Sequence, residues 1–391
     1  MRLRSRAVED SALALALIFT TNLKVGAQTM SGSGIVGLFA GGLLWSLACQ
    51  AQTVESRPGP LPAARANLAV AAGGSPWQLI AMYGLGEGTD HAAIAADGWR
   101  WNADLRRWNS LPSPAQIGSG RLAASAVWLR DTVWLLGGYT VAADGSERST
   151  PEIFRLDNDS GQWLLHTQMP TPVDDSVVLP LRDRWMLLIS GWYDTGNVDL
   201  VQVYDVQRHR WSVSSQWPGP AVFGHAGGIV DDQLVVCDGV AVVGVVDGKR
   251  QFALRKGCWH GQVQFSEDAG AIRAVQWTEL PEHPCPGTYR AAAVGTRWQG
   301  DRVLFAGGGT AAYNFDGIGY DGQPVAPSAC VFSYDLKQQR WQRHADLAQP
   351  RMDLRGLIEI ESGFLLVGGL SAPKQPTADL LFYSGEMRSK E

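Results

Sequence analysis

Val133-Trp134-Leu135-Leu136-Gly137-Gly138-Tyr139, followed after a polar loop by Ile153-Phe154-Arg155-Leu156 and closed by Trp163, decides the fold. The apolar runs are short, β-rich and bounded by Gly, Asp and Ser, the pattern of strands rather than helices. The stretch therefore reads as strand, diglycine turn, strand, short turn, strand.

The unit recurs. Its turn reappears at Gly84-Leu85-Gly86, Ser190-Gly191, Asp238-Gly239, Gly307-Gly308 and Gly368-Gly369. Counting the second turn position (86, 138, 191, 239, 308, 369), the gaps are 52, 53, 48, 69 and 61 residues. A tryptophan follows most turns: Trp108, Trp163, Trp211, Trp277 and Trp341. Three of these have an aromatic seven residues earlier, Trp101, Tyr204 and Tyr334. Glycine allows the positive φ of the turn and a close approach of neighbouring sheets, while the large aromatics fill the gap that widens outward between them. A repeat near 50 residues is the spacing of a four-stranded propeller blade. The pattern resembles the kelch-repeat family over residues 52 to 391. The resemblance implies an all-β fold, a six-bladed β-propeller.

The 391 residues, with 45 Gly and 16 Trp, suit such a turn-rich ring. The net charge of −5 and the lack of any Lys/Arg block argue against nucleic acid as a partner. Residues 1 to 51 differ in kind. Arg2, Arg4 and Arg6 precede an apolar run from Ala12 to Thr20, and Val25-Gly26-Ala27 fits a cleavage site. A second apolar run, Ile35 to Cys49, ends in Ser46-Leu47-Ala48-Cys49, which resembles a lipoprotein box with Leu one place too close to the Cys. Either run reads as a secretory signal, and a start at Met30 is an alternative. A retained anchor is the other reading. Both put the propeller outside the cytoplasm, periplasmic or extracellular, with membrane contact only through this leader.

Four cysteines remain: Cys237, Cys258, Cys285 and Cys330. Disulfides are expected in an exported chain, with Cys258 to Cys285 the first candidate because both lie in the long fourth unit. Separate buried thiols are the alternative. No CxxC pair and no paired histidine spacing points to a metal, and no phosphate loop or nucleophile elbow appears, so no cofactor is expected.

Ring closure is expected to come from residues near 53 to 58 supplying or supporting the last blade's outer strand, with a strand from Met387 as the competitor. Loops before the strands at the axis would gather Arg121, Asp174, Asp175, His225, Arg290, Arg351 and Arg355 around one pore. Such cations would suit a sugar acid, because guanidinium binds carboxylates bidentately. The alternative is that these arginines stitch blades together. Two units carry long insertions: Val240 to Phe265, with Asp247-Gly248 as its turn, and Gly309 to Ser328. The second mixes Tyr313, Asn314, Phe315, Asp316, Tyr320 and Asp321, which suits carbohydrate recognition or a packed cap. Tyr289 and Tyr313 could add hydroxyl contacts.

A narrower resemblance is to the exported N-acetylneuraminate epimerase (mutarotase) family. It rests on the unit layout and on Phe223-Gly224-His225-Ala226-Gly227-Gly228, Arg302 to Gly309 and Arg351 to Gly369. It implies an acid and a base at the ring oxygen and anomeric hydroxyl. The family's base follows the fourth turn, where this chain has Val240. Asp238, His225 and Arg290 are the catalytic candidates. Arg121, Asp174, Asp175, Tyr289, Tyr313, Tyr320, Arg351 and Arg355 are the ligand-binding candidates. The expected partner is a carbohydrate or sugar acid, or alternatively a protein.

Overall fold

The computed structural model describes residues 57 to 115 and 117 to 385. The leader expectation for residues 1 to 51 lies outside them. Six antiparallel sheets follow one another along the chain. Blade 1 comprises Ala69–Gly73, Gln78–Met82, Gly98–Asn102 and Arg107–Leu111. Blade 2 comprises Leu122–Leu129, Thr132–Val141, Glu152–Leu156 and Trp163–Gln168. Blade 3 comprises Val177–Leu181, Trp185–Ile189, Leu200–Asp205 and Arg210–Gln216. Blade 4 comprises Ala226–Val230, Gln233–Cys237, Cys258–Phe265 and Ile272–Leu280. Blade 5 comprises Ala292–Thr296, Arg302–Ala306, Val331–Asp335 and Arg340–Arg343. Blade 6 shows three strands among the described residues: Leu357–Ile360, Gly363–Val367 and Leu380–Tyr383.

The first strand of each blade lines a central channel, to which Val70, Val127, Val178, Ile229, Val294 and Ile358 each contribute. The second strands are largely buried, completely so at Val133 to Leu136 and Met186 to Ile189. Side chains from facing sheets interlock in clusters that span pairs of blades. The seven-residue aromatic spacing becomes a cross-strand pair on the outer hairpin. Trp101 faces Trp108, Tyr204 faces Trp211 and Tyr334 faces Trp341, with ring centroids 5.5, 4.9 and 4.8 Å apart. Such pairs stabilise a sheet beyond their area alone.

A bend at the end of each second strand, or in blade 2 within the longer strand Thr132–Val141, holds two residues of positive φ. In blade 2 these are Gly137 (φ 58) and Gly138 (φ 85), and a Cβ on Gly138 would stand 2.7 Å from the Leu122 carbonyl oxygen. In blade 1 the turn is Tyr83-Gly84 (φ 64 and 95), which corrects the expected placement ending at Gly86. At Ser190 and Asp238 the first turn residue is not glycine, and its side chain binds the next blade. Ser190 Oγ donates to Val222 O at 2.8 Å, and Asp238 Oδ2 accepts from Thr288 N at 2.8 Å.

A second set of left-handed residues stands at or just before the start of the first strands: Asn67, Ala123, Asp175, Gly224, Arg290 and Asp353, with φ between 51 and 62. They form a closed collar around the axis. Asn67 N donates to Asp353 O (2.9 Å), Asp175 N to Ala123 O (3.1 Å), Gly224 N to Asp175 O (2.8 Å) and Arg290 N to Gly224 O (2.7 Å). Leu354 N donates to Arg290 O (3.0 Å), and Ala123 N donates to the Asn67 side chain at 2.6 Å. Holding non-glycine residues at positive φ costs about 1 kcal/mol each. The collar offsets that cost by pairing backbone groups that would otherwise be buried unpaired.

The first and last blades meet through Asn67 and Asp353, through Leu61 N to Ala378 O (2.8 Å) and through Gly369 N to Arg65 O (2.9 Å). Arg57 stacks 3.4 Å over Phe382 and donates to Ser362 Oγ at 3.1 Å. Of the stretch expected to close the ring, residues 53 to 56 lie outside the described residues, as does the strand expected from Met387.

The disulfides are Cys237–Cys258 and Cys285–Cys330, with Cα atoms 4.1 and 6.1 Å apart, so the expected Cys258–Cys285 pair is corrected. Cys237 and Cys258 are direct partners in the blade 4 ladder, a fact of strand register that spacing alone does not reveal.

Candidate functional site

The loops that follow the diglycine turns, joining second to third strands, project from one face of the ring. In blade 2 the loop carries a short strand, Glu147–Ser149, paired to the end of Thr132–Val141. In blade 3 it is a two-residue hairpin, Trp192–Tyr193 against Gly196–Asn197. In blade 4 it is the long hairpin Val240–Val246 against Lys249–Leu254, as the Asp247-Gly248 turn predicts. In blade 5 it is the insertion 309 to 328. Together they enclose a cavity of about 320 Å³ at the channel mouth, within the ordinary range for small-molecule sites.

Its walls are aromatic. Phe252 stacks on Tyr320 with centroids 4.3 Å apart and lies 5.8 Å from Trp192. Tyr139 and Phe315 line it as well. Its polar groups are Glu147, Ser149, Asp174, Asp194, Asn314 and Arg250. Ser149 Oγ donates to Asp174 Oδ2 at 2.5 Å, and Ser149 N donates to Asp194 Oδ1 at 2.8 Å. Asp174 is 3% exposed, and its Oδ1 takes no hydrogen bond among the described residues. Burial, reinforced by the charge of Asp175, holds this carboxyl well above the usual range. Arg250 rests over Trp192 at 5.3 Å.

Beneath the cavity lies a buried ionic cluster built from the collar. Arg290 forms a fork on Asp175 (Nε to Oδ2 3.0 Å, Nη2 to Oδ2 2.5 Å) and reaches Asp353 at 3.0 Å. Arg355 pairs with Asp175 and donates to Asn67 Oδ1 at 3.1 Å. Asn67 donates to Asp353 Oδ1 at 2.8 Å. The Tyr289 hydroxyl donates to Asp175 (3.2 Å) and the Tyr313 hydroxyl to Asp353 (3.4 Å). Burial alone would raise the Asp175 carboxyl, but Arg290 and Arg355 outweigh it and hold it down at about 2.

The sequence candidates thus divide. Asp174, Asp175, Arg290, Tyr313 and Tyr320 line the mouth cavity. Tyr289 and Tyr313 are fully buried under the mouth and tie the insertion to the ionic cluster. Arg121 is spent elsewhere, on Gly137 O (3.1 Å) and Glu152 (2.7 Å). Arg351 is 1% exposed and reaches Gly368 O at 3.5 Å. Those two arginines hold the diglycine turns of their own blades, 2 and 6, rather than face a ligand or stitch one blade to the next. His225 and Arg355 border a second space, the axial channel of about 290 Å³. His225 Nε2 donates to Ile189 O at 2.8 Å, and burial lowers the imidazole to about 4.

Asp238 is locked in its turn by Thr288 N, Thr288 Oγ1, Gly257 N (3.2 Å) and His283 (3.0 Å). Asp238, Cys258 and His283 also bring three potential metal ligands within 4.8 Å of one another. The Cys258 sulfur is held in a disulfide, so this group offers no thiolate.

Sequence reasoning missed Asn67 and Asp353, which share the left-handed register position of Asp175 and Arg290. It also missed Glu147, Ser149, Trp192, Asp194, Arg250 and Phe252. All six follow the diglycine turns, which was the signal available for finding them.

No family model matches the chain. Kelch-like protein 15 of Gallus gallus is 24% identical over 108 residues, 28% of this chain and 22% of that protein. Kelch-like protein 15 of Homo sapiens is 23% identical over 108 residues, 28% of this chain and 18% of that protein. The match thus spans about a fifth of those relatives' length. A solved structure titled "Structure of YjhT" superposes with a TM-score of 0.65, covering 85% of this chain and 99% of that one at 14% identity. At that identity the likeness is one of fold.

Proposed function

We propose that this six-bladed β-propeller, kelch-like in its repeats, binds a carbohydrate in its mouth cavity outside the cytoplasm. The observation that carries the reading is the lining itself. Aromatic faces at Trp192, Phe252, Tyr320 and Phe315 suit the C–H faces of a sugar ring, and Glu147, Asp174, Asp194 and Asn314 offer hydroxyl partners in the same space. The two disulfides are in keeping with an oxidising compartment.

One observation extends the reading to anomer interconversion. Burial holds the Asp174 carboxyl above the usual range, and it shares the cavity with three further carboxyl groups, Glu147, Asp175 and Asp194, so acids of differing proton affinity stand together. His225 and Asp238 are not needed for that chemistry.

Saturation-transfer NMR with a panel of neutral, acidic and amino monosaccharides tests the binding. Transfer to at least one sugar, lost in Phe252→Ala and Trp192→Ala, is expected. No transfer to any sugar overturns it. One-dimensional NMR of a freshly dissolved anomer tests the catalysis: equilibration should be faster with protein and return to the background rate in Asp174→Asn. A protein-binding platform is the second reading, favoured by Val243, Val245 and Val246, which stand 46, 64 and 57% exposed on the blade 4 hairpin. It predicts that the whole sugar panel fails, so one experiment separates the two.

A further inference from the structure

The arginines that would have made the mouth a sugar-acid pocket are consumed. Arg290 and Arg355 are neutralised by Asp175 and Asp353, and Arg121 is paired with Glu152. What remains on the cavity wall is three carboxyl groups, Glu147, Asp174 and Asp194, against one guanidinium, Arg250. Asp174, itself 3% exposed, lines this wall, and among the described residues the bond seen on its carboxyl is from Ser149 Oγ to Oδ2. Arg250 makes no ion pair among the described residues and lies over the Trp192 ring, the position a cation takes on an aromatic face. The chain's own cation thus already occupies part of an acidic, aromatic mouth.

We propose that the ligand is an amino sugar whose ammonium sits among Asp174, Asp194 and Glu147 while its ring lies on the Trp192–Phe252–Tyr320 wall. This rests on the carbohydrate reading and narrows it. A carboxylate in the same place would meet three acids with only Arg250 to answer it. An N-acetylated amine would bring no charge to pair with these carboxyl groups, and charge-assisted hydrogen bonds are the stronger ones.

Calorimetric titration of the full chain at pH 7 with glucosamine, N-acetylglucosamine, glucose and glucuronate, plus the galacto and manno counterpart of each, tests it. An amino sugar should bind at least about tenfold tighter than its acetylated and acidic counterparts, about 1.4 kcal/mol. Asp194→Asn, at an exposed position whose amide oxygen can still accept from Ser149 N and from a sugar hydroxyl, should lower amino-sugar affinity about tenfold and glucose affinity by clearly less. Glucuronate or an acetylated sugar binding as tightly as the amine overturns the inference while leaving the carbohydrate reading standing. Equal loss of amino sugar and glucose in Asp194→Asn also overturns it. Failure of every sugar overturns both.

Discussion

Two kinds of buried charge behave differently in this ring. Asp175 is 1% exposed and forked by Arg290, so removing one partner leaves an uncompensated charge in a desolvated collar. Asp175→Asn is expected to destabilise the propeller by about 3 to 5 kcal/mol in urea unfolding. A cost under about 1 kcal/mol would mean the cluster is more solvated than its burial indicates. His225 titrates in the opposite sense. Its folded value is lowered to about 4 from 6.5, so the folded state resists a proton that the unfolded chain takes up. Its stability contribution is complete above pH 6.5 and lost as pH falls towards 4, about 3 kcal/mol in all. Unfolding free energies at pH 7 and pH 4 should therefore fall less in His225→Gln than in the parent. Equal falls would contradict the buried neutral imidazole. Asp174 and Asp353, both raised by burial, oppose this trend, and for that reason the comparison is made between variants rather than along one curve. At this scale the sequence was partly legible. Arg290, Asp174 and Asp175 are conspicuous as charged residues beside an apolar strand. Asn67 and Asp353 are not, because what selects them is a left-handed backbone position that only the collar makes visible.

At the scale of elements, the blade 4 hairpin decides most about the mouth, since it supplies Arg250 and Phe252. It leaves the sheet at Cys237 and returns at Cys258, and the disulfide between them clamps its base across a separation of 21 residues. Replacing both cysteines by alanine is expected to cost about 3 kcal/mol in unfolding free energy and to weaken mouth binding through a looser hairpin. Unchanged stability and binding would show that the ladder alone holds it. Shortening the hairpin to Gly-Gly between Val242 and Ala253 should leave the propeller folded by far-UV circular dichroism and abolish sugar binding. The blade 5 insertion was legible from its length and aromatic content, and the blade 4 one from its length and Asp-Gly turn, although its expected end at Phe265 took in the third strand, Cys258–Phe265. Their convergence was not, because hydrophobic period reports which face of a strand is buried and says nothing about where a loop leans. The arginines were misjudged for a related reason. A guanidinium beside the axis can serve a ligand or a carbonyl, and only the positions of Gly137 O and Gly368 O decide between them.

Across the whole molecule, radial packing of six sheets was the most legible feature. Diglycine turns and outer tryptophans are set by the geometry of blades that fan apart, so each unit must repeat them. Function is less legible, because the scaffold is fixed by repeats and the site is built from the residues between them. The collar welds the axis, the ionic cluster closes the channel beneath the mouth, and four loops shape one cavity. The central claim is that this cavity holds a sugar. A crystal structure of the protein with the tightest-binding sugar of the panel tests it most directly. The account predicts a ring lying between the Trp192–Phe252–Tyr320 wall and the Asp174–Ser149–Asp194 group. A sugar bound elsewhere, in the axial channel beside His225 or on the outer strands, would contradict it.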